Sequence, residues 1–116
     1  MRRIELTDYD YPIVKRVQDA MGNASEVEGA ATLSVRHWLV RICLSPACGH
    51  GPEELLDMLT IMQRVKACAE PFILLEESEW RAVCDALKKL RGYGQQEAEI
   101  LRRVLKADSV EVQPRV

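Results

Sequence analysis

Residues 43–52 read CLSPACGHGP, and Cys43, Cys48 and His50 are the residues whose types could do chemistry at short range, with His37 six positions before Cys43. Two chemistries come to mind. A structural zinc site needs four ligands, usually as two closely spaced pairs. The spacing here supplies no CxxC or HxxxH pair, and Cys68 and Cys84 stand apart. A cysteine nucleophile needs a histidine base and a group to orient it. Cys48 and His50 are two apart on a loop, where neighbouring side chains seldom point together. The segment reads better as a reversal shaped by Gly49, Gly51 and Pro52, with Cys48 and His50 presented at an exposed tip for a partner. A zinc- or thiol-dependent protein built on the Cys43–His50 loop is the third functional reading.

Other catalytic signatures are missing. There is no GxSxG, P-loop, GxGxxG or HExxH. RGYGQQE (91–97) lacks the lysine and following Ser or Thr of a phosphate loop and reads as a turn between helices. EESE (76–79) could attract a divalent cation, but acids also belong at a helix start, where the dipole favours them. The expectation is a protein that is not an enzyme, with no catalytic residue, no metal and no cofactor.

Charge is unevenly placed although the net charge is only −2. Acids outnumber bases across 19–79, and bases outnumber acids across 81–106. Lys88, Lys89, Arg91, Arg102, Arg103 and Lys106 make a candidate anion- or nucleic-acid-binding surface. Duplex binders usually have a clearly basic pI, whereas this chain sits near 5.7. A helix-turn-helix formed by the segments before and after CLSPACGHGP has too long a turn, and its second helix opens PEELLDML, whose acids repel phosphates. A nucleic-acid-associated regulator is therefore the second reading.

The elements that would position these residues are mostly helical. Five helices are expected, at 8–21, 30–44, 52–69, 77–91 and 95–107. In the first, Ile13, Val14, Val17, Ala20 and Met21 make a stripe, and Pro12 is tolerable in a first turn. GNASEVEG then reads as a linker. The third opens on Pro52 and is apolar on more than one face, with Leu55, Leu56, Met58, Leu59, Ile61, Met62 and Val65. The fourth and fifth carry narrower stripes and basic ends. Short β-like pieces lie at 3–6, 72–75 and 110–112. The run 4–21 aligns without gaps on 73–90, Ile4 meeting Ile73 and Leu6 meeting Leu75, so the first two strands are expected to pair. Duplication or convergence would both produce that echo. The fold class is α+β, predominantly α-helical, with a minimal two- or three-stranded sheet; an all-α bundle is the alternative.

At 116 residues, 47% apolar and 29% charged, the chain has the size and composition of one globular domain, 1–116. No apolar run approaches the roughly 20 residues of a membrane span. Charged residues follow the basic N-terminus where a signal peptide needs an apolar core. A cytoplasmic protein with four reduced cysteines is expected. The leading reading is a small non-enzymatic interaction module, an adaptor, assembly factor or regulator of the kind found among bacterial or bacteriophage accessory proteins. It would act through an apolar helical surface containing Met58 and Met62, adaptable side chains, with Cys48 and His50 nearby. Its partner would be another protein or a second copy in a homodimer.

Overall fold

The structure is a computed structural model, and it describes residues 1–111. Its element order is β1 (Arg2–Glu5), β2 (Tyr9–Gln18), β3 (Ala24–Leu33), α1 (Val35–Cys43), α2 (Pro52–Ala67), β4 (Phe72–Leu75), α3 (Glu77–Lys89), α4 (Ala98–Leu105) and β5 (Asp108–Ser109). Short 3-10 turns at Pro46–Cys48 and Gln95–Glu97 precede α2 and α4. The fold is α+β, but among the described residues it has four α-helices rather than five, and two small sheets rather than one.

The body forms around β1. This strand lies between β4 and β5, antiparallel to both, with Ile4 opposite Ile73 and Arg3 opposite Asp108. Period-two alternation explains the ladder: Ile4 and Leu6 turn inward with Ile73 and Leu75, while Arg3 stays outside and lies over the Phe72 ring at 3.9 Å. The expected pairing of the first two strands is present. The third strand is Asp108–Ser109 rather than 110–112, and Val112 lies outside the described residues. The four helices cover the sheet with Val35, Leu39, Met62, Val65, Leu87, Ile100 and Val104, all essentially inaccessible. Every described buried side-chain polar atom has a hydrogen-bond partner.

Local chemistry starts the helices. Pro52 opens α2 as its first residue, with Glu53 and Glu54 in the positive end of the dipole. Glu76 and Glu79 form a capping box at α3, which absorbs part of the EESE run into helix initiation. The N-terminus of α1 is capped from outside its own neighbourhood: Asp8 Oδ1 accepts from Val35 N at 3.0 Å.

The expected helix at 8–21 is instead the first strand of a hairpin. The linker reading of GNASEVEG and the start of the expected helix at 30–44 are replaced by its turn and second strand, Ala24–Leu33. The stripe Ile13, Val14, Val17 satisfies a helical period, yet the same residues are β-branched. Pro12 settles the matter. It sits four residues into β2, which has no second neighbour among the described residues, so a missing N–H is harmless there. The turn is held by Asp19, whose Oδ1 accepts from Met21 N and Asn23 N, each at 2.9 Å. Gly22 takes φ +81° at no cost. The echo between 4–21 and 73–90 therefore ends with the strands, since Tyr9–Gln18 is extended where Glu77–Lys89 is helical.

The hairpin projects. Strands of ten residues span about 34 Å, and the molecule measures 70 × 35 × 23 Å. Its radius of gyration is 17.8 Å, against about 13 Å for a compact chain of this length.

Candidate functional site

The projecting hairpin is the feature that the body's folding does not explain. Its base is fixed firmly. Tyr9 Oη donates to the Gln96 carbonyl at 2.7 Å and accepts from Ile100 N at 3.3 Å, and Arg103 lies over the Tyr9 ring. Arg103 also donates to the Thr7 carbonyl at 2.6 Å. Thr32 Oγ1 donates to Asp10 Oδ1 across the strands, and Leu33 is buried in the core. With Asp8 capping α1 directly after the hairpin, both ends of the arm are clamped to the body.

Beyond that base, residues 14–30 are all exposed. Register assigns two faces. Tyr11, Ile13, Lys15 and Val17 stand opposite Ala31, Gly29, Val27 and Ser25 on one face. The Ile13 and Lys15 side chains lie within 4 Å of where a Gly29 Cβ would sit, consistent with that grouping. This face is mainly apolar, with Lys15 its one charge and Ser25 polar near the tip. The other carries Asp10, Pro12, Val14, Arg16 and Gln18 opposite Thr32, Ala30, Glu28, Glu26 and Ala24, and is mainly polar. Val17 and Val27 remain about half exposed, Val14 is 64% exposed, and Met21 at the tip is 87% exposed. No third strand pairs with this sheet among the described residues.

A second unpartnered apolar surface lies on α2. Leu56 is 64% exposed and Leu55 is exposed too, with half-buried Leu59 one turn on. Glu53, three residues before Leu56, and Asp57 have no ion-pair partner among the described residues.

The residues singled out from sequence sit differently. Met58 and Met62 are buried, 2% and 1% exposed, and so are core residues rather than a partner surface. They follow the period of Ile61 and Val65, whereas Leu55 and Leu56 fall outside that stripe. Cys48 is not at an exposed tip. It is buried, and its Sγ donates to the carbonyls of Ile42 and Ala86. Residues 44–51 join α1 to α2, and the 3-10 turn Pro46–Cys48 within them carries Cys48 inward. His50 Nε2 donates to the Cys43 carbonyl at 2.7 Å, with its ring largely covered. Burial pushes the Cys48 thiol up and raises Cys43 to about 12, so neither is an ambient thiolate. No group of three or more metal-ligating side chains is assembled among the described residues.

The basic residues do not form one patch. Trp80 in the first turn of α3 donates to the Val104 carbonyl near the end of α4, which brings the end of α4 against the start of α3. Arg102, Arg103 and Lys106 therefore lie toward the start of α3, and Lys88, Lys89 and Arg91 about 13 Å away at its other end. Glu99 pairs with both Arg102 and Arg103, and Glu54 pairs with Lys89 at 3.5 Å. Arg91 reaches only the Lys88 carbonyl at 3.5 Å, and Lys88 and Lys106 are exposed. No helix among the described residues is long and apolar enough to cross a membrane. No family model, curated protein or solved structure matches the chain.

Proposed function

We propose that this chain is a non-enzymatic protein-interaction module whose contact element is the hairpin Tyr9–Leu33, working in the cytoplasm, where its four thiols stay reduced. The observation that carries the reading is the exposure of Val14, Val17, Met21 and Val27 on an arm whose base is clamped by Asp8, Tyr9 and Leu33. A lone two-stranded hairpin is marginal in water, and exposed strand edges are an aggregation hazard. An arm of this length bearing four exposed large apolar side chains is explained by a protein that covers it. Methionine at the tip suits an irregular contact, because its flexible thioether adapts to the surface it meets. The turn hydrogen bonds made by Asp19 hold that tip in shape before contact, which lowers the ordering cost of binding.

The test compares the native size of the tagged full chain, in extract of the producing cell, with that of a variant in which residues 14–28 are replaced by Asn-Gly. The full chain is expected to migrate in a complex, and the shortened one to migrate alone. Equal migration of both in a complex would contradict the role given to the arm.

A further inference from the structure

Resting on that reading of the arm, we infer that its occupant is a second copy of this chain, with the apolar face of each hairpin laid across α2 of the other in a reciprocal exchange. Three observations on the one chain point to it.

The first is complementarity. The hairpin face of Tyr11, Ile13, Val17, Val27 and Ala31 carries one charge, Lys15. The α2 surface of Leu55, Leu56 and Leu59 has Glu53 at its edge, three residues before Leu56. Neither Lys15 nor Glu53 has an ion-pair partner within the described chain. Each surface thus combines exposed aliphatic side chains with uncompensated charge of opposite sign, the pattern that sets orientation in protein interfaces.

The second is dimension. The free part of the arm, residues 13–18 with 24–29, is about 20 Å long, and α2 with its sixteen residues is about 24 Å long. A sheet face on a helix is also a standard packing layer. Gly29 leaves the middle of the hairpin face low, where only the Ile13 and Lys15 side chains approach, so a helix can come close.

The third is area. One arm on one helix buries only a few hundred Å² on each side, which is the scale of a packing contact. A two-fold axis makes the contact twice and so doubles the area each copy buries, toward the roughly 800 Å² per partner of a standard specific interface.

The experiment is sedimentation velocity on the purified full chain from about 1 to 100 µM. The set comprises the wild type, Lys15→Glu, Glu53→Lys, the Lys15→Glu/Glu53→Lys double variant, Leu56→Asp, and the chain with residues 14–28 replaced by Asn-Gly. The wild type is expected to dimerise in that range. Each single charge reversal should weaken the dimer about tenfold, because the two-fold axis counts it twice. The double variant should return to within about threefold of wild type. Leu56→Asp and the shortened arm should be monomers. Circular dichroism of each variant establishes that it is folded, and the charge rescue does not depend on any variant that fails to fold. A monomeric wild type at 100 µM, a dimer that survives arm shortening, or a double variant no better than the singles would each overturn the exchange. If the purified chain is monomeric while the arm still determines its native size in extract, the exchange fails and the contact-arm reading stands.

Discussion

Replacing residues 14–28 by Asn-Gly, which joins Ile13 to Gly29 through a two-residue hairpin turn, separates folding from contact. Every deleted residue is exposed, and the deleted segment makes no hydrogen bond to the body among those described. What is lost is a set of exposed cross-strand pairs, worth about 0.2–1 kcal/mol each in a well-formed sheet but close to zero in total for a marginal free hairpin. What is gained is a connection shortened by more than half, about 0.6–1 kcal/mol less closure entropy. The two nearly cancel, so the shortened chain should lie within about 1 kcal/mol of wild type, against a total stability of about 5–15 kcal/mol. Urea unfolding followed by Trp38 and Trp80 fluorescence measures the difference. It should be run near 1 µM, where association adds little apparent stability. A loss of about 3 kcal/mol, or failure to fold, would refute the reasoning by showing that the arm belongs to the core.

Other perturbations test contacts in the body and at its surface. Tyr9→Phe removes an oxygen that both donates to Gln96 and accepts from Ile100, and should cost about 1–2 kcal/mol by the same urea assay. Asp8→Ala strips the cap from α1 and should cost about 1 kcal/mol. Met58→Ala opens a cavity in the core and should cost about 2–5 kcal/mol, whereas Leu56→Ala, at an exposed site, should stay within about 0.5 kcal/mol below the association range. Burial raises Cys43 and Tyr93 to about 12. Well below pH 8 both folded and unfolded chains keep these protons. From pH 9 to 12 the unfolded chain loses the Cys43 proton first, so stability should fall by up to about 1.4 kcal/mol per pH unit, with a smaller, solvent-screened contribution from the partly exposed Tyr93 above pH 10. A flat urea midpoint from pH 8 to 11 would contradict this.

Much of the body was legible in the sequence. Phe72–Leu75 falls where its apolar run placed it, and β1 pairs with it because Ile4, Leu6, Ile73 and Leu75 all alternate inward. Pro52 and the EESE acids marked two helix starts because capping and dipole chemistry are local. The arm was not legible, for a physical reason. Hydrophobic periodicity reports burial, and residues 14–30 have none, so Ile13, Val14 and Val17 imitated a helical stripe with no core to correct the reading. Usable signals were there: Pro12 inside the run, β-branched residues on both sides of Asp19–Asn23, and Gly22 between them. On α2, the apolar residues exceed one stripe, and the structure leaves Leu55 and Leu56 exposed. Which of them pointed outward depended on where α1 and α3 pack, and the methionines took the inward positions.

The most direct test of the arm as contact element is a photo-crosslinking amino acid placed singly at positions 14, 17, 21 and 27 and, for comparison, at 88 and 102, with the full chain expressed in its own cell. Discrete adducts from the arm positions, absent from Lys88 and Arg102, are the predicted result. Adducts from the basic positions and none from any arm position would contradict it.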